Sequence, residues 1–163
     1  MKYEKDIILF IDNKMFKEIE QCIHKASPNE ACGLIFGKIE EKKNPSFSDE
    51  YYYYYNAYKF DCIKSLHKSP VAFLMNDYEK LAKLTRSYSK DYNYQLLSIF
   101  HSHPGSNYPS ATDLQYIKAY YEGNLTPIKH IIWTIMNAES KELNGFIFIF
   151  NELKQISVQI RKN

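Results

Sequence analysis

The segment from His101 to Asp113 constrains this chain more than any other. Tyr94 to Phe100 is an apolar run with strand character, and it leads directly into His101-Ser102-His103. Residues two apart on a strand share a face, so both imidazoles aim at one point. Pro104 and Gly105 then open a loop, where the glycine is expected to permit a tight turn. Ser110 starts a helix, from which Asp113 can swing back to the two rings. The fold must therefore bring a strand end and a helix start together. Two histidines and one carboxylate make a three-ligand zinc site whose fourth position is left to water. Ser102 points to the opposite face and reads as structural.

The remaining elements are those of an α/β protein with a mixed sheet. Asp6 to Ile11 reads as a short strand. Asp12 or Asn13 then caps a helix over 13–26, with Phe16, Ile19, Ile23 and Ala26 at helical spacing. Ser27-Pro28-Asn29 is a turn, and Ala31 to Phe36 a buried strand ending at Gly37. Charged residues 38–49 read as an exposed loop or hairpin tip, and residues 57–70 as a longer loop. Between them, Tyr51 to Tyr55 has strand propensity and is expected to bury one face; a strand beside the site can also pair with an extended peptide. Val71 to Met75 is a strand, followed by a helix capped by Asn76 or Asp77 with the stripe Tyr78, Leu81, Leu84 and Tyr88. The helix from Ser110 is expected to bury Leu114, Ile117 and Tyr121. Ile128 to Met136 is a strand, and Gly145 to Asn151 with Ile156 to Ile160 forms a closing hairpin. The sum is one domain over 1–163, with about three helices and seven or eight strands.

Composition removes several function classes. A net charge of +2 gives no strong pull toward nucleic acid or acidic membranes. No apolar run approaches the roughly 20 residues that cross a bilayer. The charged start at Lys2, Glu4, Lys5 and Asp6 does not look like a signal peptide, so a cytoplasmic location is expected. The three cysteines are scattered and odd in number, which argues against a disulfide framework and against a cysteine-rich zinc knuckle. Cys22 and Cys32 read as buried, and Cys62 as a free thiol in a loop. His24, His67 and His130 lack ligand-like spacing and read as structural or exposed.

An upstream Glu, then His-x-His, then Ser-x-x-Asp resembles the signature of the JAMM (MPN-plus, or JAB) metalloproteases. The matching positions are Glu30, His101, His103, Ser110 and Asp113. Glu30 sits in Pro28-Asn29-Glu30-Ala31-Cys32-Gly33, a context similar to prokaryotic members, as is Pro109-Ser110-Ala111-Thr112-Asp113. The element order from about residue 6 to 160 also resembles the family's. One departure is the stretch Pro104 to Pro109, one residue shorter than usual. The resemblance implies a single mixed-sheet MPN/JAB domain, similar to the cytidine-deaminase fold. It implies one Zn²⁺ on His101, His103 and Asp113, with Glu30 as general base and the Ser110 hydroxyl as oxyanion donor.

The same residues have plainer readings. Ser110-x-x-Asp113 is also a capping box with Asp in place of Glu, and Ser110 can cap and serve the site at once. Glu30 alone would be a solvated turn carboxylate. Cys32 shares its face, although burial is the better expectation. The resemblance implies a zinc-dependent isopeptidase or peptidase acting after the C-terminus of a ubiquitin-like modifier, in the manner of deubiquitinases and desampylases. The substrate tail would lie across the site, near residues 57–70. The alternatives are C-terminal processing of a ubiquitin-like sulfur-carrier protein and a non-catalytic MPN scaffold. Expected partners are a ubiquitin-like protein or its conjugates, and a homodimer or partner subunit; nucleic acid and membrane are not expected.

Overall fold

Asp12 accepts from the Met15 amide at 2.7 Å and so starts the first helix where sequence places it. In the computed structural model, which describes residues 6–47, 49–64, 78–122 and 130–162, this helix is α1 (Asn13–Ala26), preceded by β1 (Ile7–Asp12). There follow β2 (Cys32–Lys43), β3 (Tyr51–Ile63), α2 (Tyr78–Tyr92) and β4 (Gln95–His103). The described chain ends with α3 (Ala111–Glu122), β5 (Ile132–Asn137), β6 (Leu143–Ile149) and β7 (Glu152–Arg161). The strand expected over Val71–Met75, the cap at Asn76 or Asp77 and His67 lie outside the described residues, as do the side chain of Tyr78 and the start of the strand expected from Ile128.

The strands close into a barrel in the order β1-β3-β2-β4-β5-β6-β7, with β7 returning to β1. β1 runs parallel to β3 and β7, and β4 parallel to β5; the other pairings are antiparallel. The class is α/β with a mixed sheet and three helices among the described residues, as expected. One apolar cluster, including Leu9, Ile35, Leu97, Phe100 and Ile147, is covered by Met15, Ile19 and Ile23 of α1. A second, including Leu34, Ile99, Trp133 and Ile135, is covered by Leu81 of α2 and by Ile117 and Tyr120 of α3. Each fully buried side chain of this kind contributes about 1.5–3 kcal/mol by leaving water.

Four expectations need correction. Residues 38–43 are not loop: they continue β2 and pair with Tyr51–Asn56, so only 44–50 form the hairpin tip. Their alternation is invisible because this part of the hairpin is solvated on both faces. Residues 57–63 likewise extend β3, where Ile63 lies opposite Cys32. Tyr53 to Tyr55 are paired with β1 on one side and β2 on the other, so these three residues offer no free edge to a peptide. Cys62, placed at the end of β3, forms a disulfide with Cys22 of α1, 40 residues away. Sequence spacing could not show this pair because the packing of α1 against β3 is what brings the two residues together. Cys32 is buried, as expected, and takes no part in the disulfide.

Candidate metal centre

β4 delivers its two histidines at the end where it is held on both sides. His101 lies opposite Cys32 of β2 and Ile135 of β5, and His103 opposite Asn137. The Ala138 amide donates to the His103 carbonyl at 2.8 Å, fixing the last residue of the strand. Near the other end of β4 the β2–β4 register slips: Ile35 pairs with Ser98 and Phe36 with Leu96, leaving Leu97 as an extra residue. That irregularity helps set which face His101 and His103 present.

α3 delivers the carboxylate. Asp113, Ile117 and Tyr120 fall at i, i+4 and i+7, and all three are buried. Tyr120 packs edge-on against Trp133 with ring centroids 5.6 Å apart. The apolar pair thus fixes the rotation that points Asp113 inward. The expected stripe of Leu114, Ile117 and Tyr121 is rotated from this one: Leu114 is 46% exposed and Tyr121 half-buried.

Ser110 caps α3. Its amide and its hydroxyl donate to Asp113 Oδ2 at 2.7 and 2.8 Å, and its Oγ accepts from the Asp113 amide at 3.1 Å. This is a reciprocal capping box, and it also orients the carboxylate. Gly105 has no left-handed backbone, and a Cβ there would meet nothing within 4 Å. The turn after Pro104 therefore does not need glycine, contrary to expectation.

The three groups converge. His101 Nε2 lies 3.1 Å from His103 Nε2 and 3.3 Å from Asp113 Oδ1, and His103 Nε2 lies 3.1 Å from Asp113 Oδ2. Donors on a tetrahedral zinc lie about 3.3–3.4 Å apart, given bonds of about 2.0–2.1 Å. The observed spacing agrees to within a few tenths of an ångström. Taken one donor atom from each residue, the group lies within 4.8 Å and is buried. The residues therefore fit a divalent ion that prefers nitrogen and oxygen donors.

The electrostatics favour the ligand forms of Asp113 and His101, whereas His103 is biased toward its protonated form while no cation is bound. Burial pushes the Asp113 carboxyl up, but hydrogen bonds with His101 and His103 outweigh it and hold the group well below the usual carboxylate range. Burial lowers His101 despite Asp113, which keeps the ring neutral. His103 is raised, chiefly by its hydrogen bond with Asp113, and it also bonds the Tyr108 backbone. His101 Nδ1 has no such support: it is buried without a partner among the described residues.

Glu30 stands beside this group. It follows the turn at 27–29 and lines a cavity of about 320 Å³ together with His103, Gly105, Ser110, Thr112 and Asp113. Burial raises its carboxyl above the ordinary value of 4.5, with His103 opposing and Asp113 reinforcing. Cys32 does not line the cavity; its thiol donates to the Ile63 carbonyl at 3.6 Å. His24 and His130 are exposed. The role that sequence analysis undervalued is that of Ser102, whose Oγ accepts from the Ala31 amide at 2.9 Å.

A mixed barrel whose His-x-His strand meets a helix-borne aspartate defines a class of domain that can bind a metal ion at the strand end. The sequence matches the prokaryotic homologs of the JAB domain over residues 12–145, and the chain belongs to that family. The fold is similar to the solution structure of protein DSY2949 from Desulfitobacterium hafniense, with a TM-score of 0.64 and 22% identity over 96% of this chain and 94% of that one. None of the curated proteins matches the sequence. Among the described residues, no helix is long and apolar enough to cross a membrane.

Proposed function

We propose that this chain is a zinc-dependent isopeptidase or peptidase that cleaves the amide bond after the C-terminus of a ubiquitin-like modifier. The observation that carries the reading is Glu30: a carboxylate with a raised pKa lines the same cavity as His103 and Asp113 without belonging to the ligand group. His101, His103 and Asp113 would hold the ion. When bound, zinc supplies Lewis acidity and makes water a nucleophile near neutral pH.

The chain's own residues do the rest. Glu30 takes the proton of the attacking water and returns one to the leaving amine. Ser110 keeps Asp113 oriented, and its hydroxyl, at the cavity wall, donates to the developing oxyanion. Gly105, Ser106 and Thr112 leave a small, open cavity that admits an extended backbone with small side chains. A cytoplasmic setting belongs to the same reading; there the Cys22–Cys62 bond would meet cellular reductants.

The test is turnover of a ubiquitin-like modifier joined through its C-terminal carboxyl to a lysine ε-amine, beside the same modifier carrying a short C-terminal extension. Zinc-loaded protein is expected to cleave the amide, and Glu30→Gln to lose that activity while keeping its zinc. Turnover unchanged in Glu30→Gln, or purified protein that takes up no zinc, overturns the proposal.

A further inference from the structure

We infer that Ser102 is a positioning residue for Glu30, its buried hydroxyl being the last fastening point between the ligand strand and the general base. The inference rests on the hydrolase reading above. Ser102 lies between the two histidines but on the opposite face of β4, so its side chain does not reach the ligand group. It is 2% exposed.

β2 and β4 pair in register as far as Cys32 and His101. One step further, Ala31 and Ser102 are still joined by two hydrogen bonds, and Glu30 is the next residue of the chain. At that step the ladder is completed by a side chain. The Ser102 amide donates to the Ala31 carbonyl at 3.0 Å, but the Ala31 amide donates to Ser102 Oγ at 2.9 Å. In a hydrogen-bonded antiparallel pair both bonds run between backbones. The hydroxyl takes the place of the carbonyl and lets the chain leave the sheet while Ala31 remains tied. On the other side, the Asn29 amide donates to the Ala26 carbonyl at 2.9 Å at the end of α1. Glu30 is thus suspended between a helix end and the Ser102 clamp. Ala31 is 1% exposed, so its amide has no ready access to water if the hydroxyl is removed.

Ser102→Ala removes the clamp and leaves the histidines in place. For the zinc-loaded full chain, zinc content and KM are expected to stay as in the unaltered protein, while kcat falls about tenfold or more. Hydrogen exchange at the Ala31 amide is expected to speed about tenfold or more, the loss of one buried hydrogen bond, with the Phe100 amide unchanged. Ser102→Thr, which keeps the hydroxyl, is expected to restore both. If Ser102→Ala does not fold, Ser102→Cys keeps the volume but accepts weakly and carries the same comparison.

Exchange at Ala31 that does not respond to loss of the hydroxyl overturns the inference. So does a fall in kcat that follows zinc loss, or that Thr leaves unrepaired. A chain that folds and binds zinc but cleaves no conjugate sinks the hydrolase reading instead; the exchange and its rescue by Thr then decide the clamp alone.

Discussion

β4 carries two sets of buried polar side chains, and they differ in kind. Ser98 near its start meets Thr134 of β5 at 3.0 Å, hydroxyl to hydroxyl, and either group can donate. His101 and His103 at its end meet each other and Asp113 at similar distances, yet all three present lone pairs to one point once the rings are neutral. Both sets are buried. The first satisfies itself and closes. The second, when neither Nε2 carries a proton, leaves only acceptors that cannot pair with one another, a set that a cation can complete. Burial of polar groups is therefore a poor marker of chemistry; convergence of like groups is the better one.

Substitutions at the two sites separate them, beginning with the largest effect. His101→Ala removes one of three donors, and zinc measured on purified protein is expected to drop from about one ion per chain to none. Retention of stoichiometric zinc would erase the distinction between the two sets. Glu30→Gln is expected to keep the ion and lose about 10²–10⁴ in kcat. The sign of the pH effect follows from the same residue. A base must be deprotonated to act, and burial raises this carboxyl above 4.5. In the zinc-free protein the Glu30 carboxyl should therefore titrate above pH 4.5 when followed by NMR. A midpoint at or below that value breaks the assignment.

Ser110→Ala acts on both the helix and the ligand. Losing the cap is expected to lower stability by about 0.5–2 kcal/mol in thermal unfolding. Losing the hydrogen bond that orients Asp113 should weaken zinc binding about 10–100-fold in competition with a chelator. The smallest effect is expected at the closed set. Ser98→Ala combined with Thr134→Val replaces both partners by apolar groups, and stability should move by no more than about 1 kcal/mol with zinc affinity unchanged. A zinc defect in that double variant would mean that the two sets are coupled along β4.

The α3 stripe shows where sequence reading slipped. Choosing apolar positions gave Leu114, Ile117 and Tyr121, whereas the helix buries Asp113, Ile117 and Tyr120. A stripe that contains its own metal ligand has a polar member and looks misaligned to any count of hydrophobic residues. The overhanging β2–β3 hairpin slipped for the opposite reason. Lys38 to Lys43 are charged and mostly exposed, so no face announces a strand, although every residue pairs with β3.

Features that depend on local chemistry are legible in the residues alone. They include α1 with a cap at Asp12 or Asn13, the strand leading into the histidines, and the five positions Glu30, His101, His103, Ser110 and Asp113. These are legible because capping, alternation and ligand type act over a few residues. Strand register and helix packing set the rest: the Cys22–Cys62 bond, the pairing of residues 57–63, and the hold of Ser102 on Ala31 across 71 residues. Each joins groups that no local periodicity relates, since partners across a sheet are chosen by register and not by distance along the chain.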